Sequence, residues 1–264
     1  MTFFKKEKDY FLAAIMFYTR LPVPKDSAYS ETILNQSRKY FPAVGVIIGF
    51  IAAISILMLQ ALLPLSVAIL LSIVLTVIIT GAFHEDGFAD CCDAFGAGWN
   101  KTQILTIMKD SRVGSYAVVG IALLFSLKFM ALYEIGKQST ILLFLAYING
   151  HAVSRFGASL SIELLEYVQD TDTSKIKPIT SMRLPKKDLL FSMYFVLPSF
   201  LFLVILKPIY GLTIIPLCVC FLIVNRYFKK RIGGYTGDCL GAMQQILELI
   251  FYLSVLSLSA AATN

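Results

Sequence analysis

Seven apolar runs govern what this chain can fold into: Phe41–Leu63, Pro64–Phe83, Val113–Tyr133, Ser139–Leu160, Leu189–Leu206, Ile209–Val224 and Gln244–Ala262. Several approach the roughly 20 residues a helix needs to cross a bilayer. Ile209–Val224 is short. Pro64, Gly136-Lys137-Gln138 and Lys207-Pro208 mark tight connections between runs. Only 15% of the 264 residues are charged and the mean hydropathy is +0.74, whereas a soluble domain carries about 25% charge. The predicted fold is all-α: a polytopic helical integral membrane protein, 1–264 as one membrane-embedded domain, with about seven transmembrane helices. No linker, low-complexity tract or fixed-period repeat divides it.

The N-terminal Lys5, Lys6 and Lys8 precede a short apolar run, Tyr10–Tyr18. Asp9 interrupts the pattern of a signal peptide, and Arg20-Leu21-Pro22 stands where a small-residue cleavage site would be. The run is too short to span, so an interfacial or re-entrant helix is expected.

Nineteen of the 23 Lys and Arg fall on one side of the seven-span arrangement, against Lys137 and Lys207 on the other. Lys128 and Arg155 lie inside spans. The positive-inside rule then predicts a cell-membrane protein whose N-terminus and long loops are cytoplasmic, with Thr263-Asn264 outside. The net charge of +6 reports topology and attraction to anionic headgroups, so membrane lipid is an expected partner. No module for binding nucleic acid is visible. The five cysteines have no zinc-finger spacing, and inert, buried thiols are the expected reading.

The chemistry gathers in His84–Gly120. Glu85, Asp86, Asp90 and Asp93 fall within nine residues, and in a helix positions 86, 90 and 93 share one face. Each like-charge pair on such a face costs roughly 0.2–0.5 kcal/mol. A cation relieves that cost, and hard oxygen donors without His or Cys suit Mg2+, Mn2+ or Ca2+. Glu85 points about 100° away and is the candidate base or supporting group. The plainer reading is a solvated helix entry with acids near its N-terminus; apolar Phe88, Ala89, Ala94 and Phe95 argue against it.

Three further clusters are candidates. Lys109-Asp110-Ser111-Arg112 offers a point charge and a planar fork for phosphate oxygens, or an anchor at the mouth of a span. Arg226–Gly241 carries Gly233, Gly234, Gly237 and Gly241 beside Thr236 and Asp238, a ligand-binding loop or a bland turn without the ending of a Walker P-loop. Asn149, His151 and Arg155 lie inside a span, where ionisable groups default to functional candidates. Arg20 and Arg38-Lys39 read first as topological anchors, with anionic substrate contact as the second reading.

His84-Glu85-Asp86-Gly87-Phe88-Ala89-Asp90, Asp93 and Ile107-Met108-Lys109-Asp110-Ser111-Arg112-Val113-Gly114 resemble the signature of the adenosylcobinamide-GDP ribazoletransferase (cobalamin synthase) family. Phe17–Pro24, Phe41–Gly45 and Gly233–Ala242 resemble it in the same order. The likeness covers nearly the whole chain. Cys91-Cys92 and Ala94 depart locally from the family's usual residues.

The resemblance implies a Mg2+-dependent transferase of the last stage of nucleotide-loop assembly in cobalamin biosynthesis. Adenosylcobinamide-GDP and α-ribazole, or its 5′-phosphate, give adenosylcobalamin, or its 5′-phosphate, and GMP. Under that reading Asp86, Asp90 and Asp93, joined by Asp238, hold the metal, and Lys109 and Arg112 stabilise the diphosphate. Either Glu85 or Asp110 accepts the hydroxyl proton. Arg20, Ser111, His151, Arg155, Gly234, Thr236 and Gly237 are the candidate substrate contacts. Other nucleotide-loop assembly enzymes and a second copy of the chain, as a homo-oligomer, are further candidate partners.

Two other classes fit the residues less well. A CDP-alcohol phosphotransferase also clusters Asp near Asp-Gly on a membrane helix. Phe83 and the Ala89-Asp90 pair break that family's pattern. A small-solute carrier would place ionisable groups at mid-membrane and on both sides, while here the acids cluster at one end.

Overall fold

The computed structural model describes residues 3–168 and 183–261. Lys175, Lys177 and the tail Thr263-Asn264, which entered the charge and topology reading, lie outside these residues.

The described residues form helices α1 (Phe3–Tyr18), α2 (Glu31–Ser37), α3 (Phe41–Leu59), α4 (Leu65–Thr80), α5 (Phe83–Ala97) and α6 (Lys101–Met108). They are followed by α7 (Ser115–Gln138), α8 (Thr140–Leu164), α9 (Lys186–Leu206), α10 (Ile214–Ile232) and α11 (Gly237–Ala261). Short 3-10 turns at Arg38–Tyr40 and Pro208–Thr213 lead into α3 and α10. The all-α expectation and the multi-pass reading hold.

About seven spans are expected from the sequence, and five to six of the described helical stretches meet the length and apolarity of a span. Among the described residues, the stretches long and apolar enough to cross a membrane by themselves are Glu31–Leu59, Ser115–Gln138, Lys186–Leu206, Pro208–Ile232 and Gly237–Ala261. The pair α4 and α5 makes a sixth only as one broken span, bent by 92°. The 25-residue α8 is not among them, because Asn149, His151 and Arg155 lower its apolarity. It tolerates them by lying at the centre, with α3, α9 and α11 around it.

Close backbone contacts place α8 there. A Cβ on Gly45 would lie 2.3 Å from the His151 carbonyl oxygen, and one on Gly49 2.6 Å from that of Tyr147. Gly45 and Gly49 are four residues apart, the small-residue spacing that lets membrane helices touch along their backbones. On another face of α8, Gly150 and Gly157 receive Tyr252 and Leu247 of α11. Asn149 fastens α8 to α9: it donates to the Ser199 carbonyl and accepts from the Ser199 hydroxyl, at 3.2 and 3.0 Å. By contrast, α9 and α10 turn Leu190, Tyr194, Leu201 and Ile205, and Ile215, Val219, Leu222 and Ile223, outward. Faces this apolar and this large belong against lipid.

Several sequence expectations shift for local reasons. Arg38 and Lys39, read as anchors, are buried. Arg38 pairs with Glu163 at 2.6 Å, and Lys39 with Glu7 at 2.8 Å, so they tie α1 and α8 to the start of α3. Arg226–Gly241 is less of a loop than expected. The helix runs on to Ile232 because Lys229, Lys230 and Arg231 suit its negative C-terminal end, and Gly233 (φ 85°) terminates it. All five thiols are free; Cys91 and Cys239 are buried, whereas Cys218 lies exposed on α10.

The elbow between α4 and α5 is made by two successive left-handed residues, Gly81 (φ 66°) and Ala82 (φ 59°). Glycine takes this conformation freely, whereas alanine does so at a cost of about 1–2 kcal/mol. The Arg20 amide donates to the Ile79 carbonyl at 2.7 Å, and its guanidinium covers Gly81 so closely that a Cβ there would sit 2.2 Å from Nε.

The α3–α8 contact yields a direct test. Gly49→Leu should destabilise the protein by about 1–3 kcal/mol, read as a lowered thermal midpoint in detergent. Gly211→Ala should leave it near wild type, since the closest atom to a Cβ there is 3.7 Å away. Equal midpoints for the two variants would refute the packing argument.

Candidate active site

The expected acidic helix forms. Turned away from α4 by the elbow, α5 crosses the N-terminal end of α11 at a point where neither backbone carries a side chain. A Cβ on Gly87 would be 2.9 Å from the Asp238 Cα, and one on Gly241 3.0 Å from the His84 carbonyl oxygen. This crossing sets Asp238 against the face of α5, close enough that Asp238, Asp86 and Asp93 all act electrostatically on Asp90. Asp86 is exposed, while Asp90, Asp93 and Asp238 are half-buried. Four carboxylates separated by up to 152 positions in the chain thus share one neighbourhood.

Asp93 is already engaged. Its Oδ2 accepts from the Gly114 amide at 2.6 Å and its Oδ1 from the Ala117 amide at 2.9 Å. It therefore caps the start of α7 from outside, satisfying amides that a helix terminus leaves without partners. The same bonds hold the Lys109–Gly114 loop beside α5.

In that loop Lys109, Ser111 and Arg112 are exposed. Arg112 donates from Nε to both Asp110 oxygens at 3.0 Å. That guanidinium holds the Asp110 carboxyl down to about 2. Asp110 is thus ionised across the working range and has little tendency to take up a proton.

The glycine-rich turn contributes through packing. A Cβ on Gly234 would lie 2.0 Å from the Glu166 carbonyl oxygen, so the close approach foreseen there is to the chain itself. The adjacent Tyr235 amide donates to Glu166 at 2.9 Å. Thr236 is fully buried; its hydroxyl accepts from the Cys239 amide at 3.3 Å and donates to Met108 Sδ at 3.2 Å. It starts α11 and joins it to the end of α6. Gly237 is buried at the same junction, and Arg20 sits at the elbow. The structure thus brings Asp86, Asp90, Asp93, Asp238 and the Lys109–Arg112 loop together and puts Gly234, Thr236 and Gly237 behind them.

His151 and Arg155 belong to a different group, within the bundle. Arg155 Nη1 lies 3.0 Å from both His151 Nδ1 and the His151 carbonyl oxygen. His151 Nδ1 is 3.3 Å from Glu248 Oε2, and Lys128 Nζ is 2.8 Å from Glu248 Oε1. Gln245 connects this group to Glu85, donating to its Oε1 at 2.9 Å. The sequence reading passed over Gln244, Gln245 and Glu248 and took Lys128 only as a charge inside a span. Their signal was the ionisable residue in an apolar run, which membrane interiors tolerate only with a partner. His84 is buried too, stacked on Phe41 with ring centroids 5.6 Å apart.

Among the described residues, no three His, Cys, Asp or Glu side chains converge into a preformed metal cage. The donor set still fits Mg2+, which keeps several waters and binds through one or two carboxylates together with substrate phosphates. Asp86, Asp90 and Asp238 provide hard oxygens of that kind, and Asp93 ties the loop that carries Lys109 and Arg112 to the same helix.

Comparison with known proteins places the chain in a family. The family model for cobalamin-5-phosphate synthase matches residues 10–256. The adenosylcobinamide-GDP ribazoletransferase of Leptospira interrogans is 41% identical over 258 residues, 95% of this chain and 96% of its own. That of Shewanella frigidimarina is 40% identical over 254 residues (96% and 95%), and that of Shewanella amazonensis 40% over 262 residues (98% of each). No solved structure matches. A family model that matches residues 10–256, with relatives about 40% identical over nearly the whole chain, establishes that this chain belongs to the adenosylcobinamide-GDP ribazoletransferase (cobalamin-5-phosphate synthase) family.

Proposed function

We propose that the chain joins adenosylcobinamide-GDP to α-ribazole, or its 5′-phosphate, and releases GMP at the face formed by α5, the Lys109–Arg112 loop and the start of α11. The observation that carries the reading is the glycine-to-backbone crossing at Gly87 and Asp238, which sets Asp238 among the carboxylates of α5. A ribose hydroxyl attacks the cobinamide-side phosphorus; the new P–O bond forms as the bond to GMP breaks. The hydroxyl proton passes to a carboxylate, and GMP leaves with the bridging oxygen.

Mg2+ held by Asp86, Asp90 and Asp238 would polarise the phosphoryl oxygens and neutralise charge on the leaving group. Lys109 and Arg112 bind the diphosphate, Arg112 by exchanging Asp110 for phosphate oxygens; an exposed ion pair is worth little and gives way readily. Asp93 keeps the loop and α5 in register. Of the two candidate bases, Glu85 is favoured. Asp110 is held by Arg112, whereas the buried Glu85 Oε2 has no hydrogen-bond partner among the described residues.

The proposed setting is the cytoplasmic face of the cell membrane. The nineteen-to-two distribution of Lys and Arg supports that orientation. A carrier is disfavoured because the ionisable groups inside the bundle pair with one another, and family membership points to transfer.

Asp86→Ala, Asp90→Ala and Asp238→Ala should abolish GMP release while membrane insertion stays normal, and chelation should stop the wild-type enzyme until Mg2+ is restored. Wild-type rates in the Asp86 and Asp90 variants would remove the metal assignment. Lys109→Ala should raise KM for adenosylcobinamide-GDP and lower turnover; unchanged kinetics would leave Lys109 a topological charge. For the base, Glu85→Gln should lower kcat by about 10²–10⁴-fold. Asp110→Asn should keep the acid limb of the pH–rate profile where it is, because a carboxyl near 2 is ionised throughout that limb. Loss of the limb in Asp110→Asn would reverse the choice.

A further inference from the structure

Lys128, Gln244, Gln245 and Glu248 are each at most 4% exposed, and nothing in the reaction proposed so far uses them. Burying charges this completely is costly before pairing, and an apolar replacement of the pair is often as stable. Their hydrogen bonds run in one direction. Lys128 Nζ donates to Gln245 Oε1 and, at 2.8 Å, to Glu248 Oε1. Gln245 Nε2 donates to Glu85 Oε1 at 2.9 Å and to Gln244 Oε1 at 2.8 Å. Gln244 Nε2 donates in turn to Glu248 Oε2 at 2.6 Å and Ser154 Oγ at 3.1 Å.

A carboxamide can present either its oxygen or its nitrogen to a neighbour, and here the choice is forced. An ammonium has donors only, so the Gln245 oxygen must face Lys128 and its NH2 must face Glu85. Tyr252 and His151 occupy the other approaches to Glu248, at 3.2 and 3.3 Å, so Glu248 in turn keeps Lys128 in place. Two cations, Lys128 and Arg155, balance two carboxylates, Glu248 and Glu85, in this group.

We infer that Gln245 is a positioning residue for Glu85, and that the buried Lys128–Glu248 pair fixes the amide orientation that makes it so. The inference rests on Glu85 belonging to the reacting site. Gln245 occupies Oε1 and leaves Oε2, which is buried and has no hydrogen-bond partner among the described residues, as the oxygen uncommitted to the protein and available to a substrate hydroxyl that reaches it. The network thereby selects which oxygen of Glu85 works and the angle at which it is held.

The test uses the full-length protein in detergent, with kcat, KM for both substrates and the thermal midpoint as readouts. Gln245→Met removes donor and acceptor at similar volume. The double variant Lys128→Met/Glu248→Met removes both charges together, so neither is left orphaned. Both should keep a midpoint within a few degrees of wild type and KM within about threefold, with kcat reduced about tenfold or more, as loss of base alignment predicts. Wild-type kcat in either folded variant would overturn the inference. Loss of the fold in both would overturn it as well, since the group would then be structural. Glu85→Gln separates the two layers. If it turns over at the wild-type rate, the choice of base has failed; if it is inactive while Gln245→Met is fully active, only the positioning role has failed.

Discussion

Everything in the candidate site depends on two helices touching through their backbones. Where α5 crosses the start of α11, Gly87 and Gly241 leave no side chain between the helices, and the Asp238 Cα comes within reach of a Cβ that Gly87 lacks. Any larger residue would push α11 outward and take Asp238 with it. Carboxylates that repel one another would separate if they stood on flexible loops. Here the packing of apolar neighbours around the crossing, Cys91, Ala94, Cys239 and Ala242 among them, holds the acids together. The hydrophobic bundle supplies the energy that keeps the like charges close.

The bundle treats its other charges differently. At the acid face like charges are gathered and left partly open, where the proposed ion and diphosphate would complete them. Around Glu248 opposite charges are matched and sealed, and hydrogen bonds take up the donors that face the carboxylate. Glu85 stands between the two regions, half-buried, with one oxygen in the sealed network.

Much of this was readable from residue order, and the rest was not for physical reasons. Run length located the helices, because crossing a bilayer sets a length scale. It treated α8 like the lipid-facing helices, although polar side chains fit there because the helix is surrounded by protein. The acids of α5 were readable because they are dense in sequence. Asp238 entered through its neighbours and the family likeness. Lys128 and Glu248 are 120 positions apart and isolated within apolar runs, so the pairing that explains both exists only in three dimensions. The Gly45–Gly49 spacing carried a packing signal that run length alone does not use. The glycines after α10 signalled close approach correctly, but composition does not distinguish approach to a ligand from approach to the chain's own carbonyl.

The pair of left-handed residues at Gly81 and Ala82 has a consequence for how the chain tolerates change. A continuous helix transmits phase: one residue added anywhere along it swings every later side chain by about 100°. The elbow interrupts that transmission. The direction in which Asp86 and Asp90 point is set by the seating of α5 on α11, whatever the rotation of α4 about its own axis. Lengthening or shortening α4 to suit bilayers of different thickness would therefore leave the aim of the aspartates untouched. The membrane-facing part of the chain and its chemical part are free to diverge at different rates.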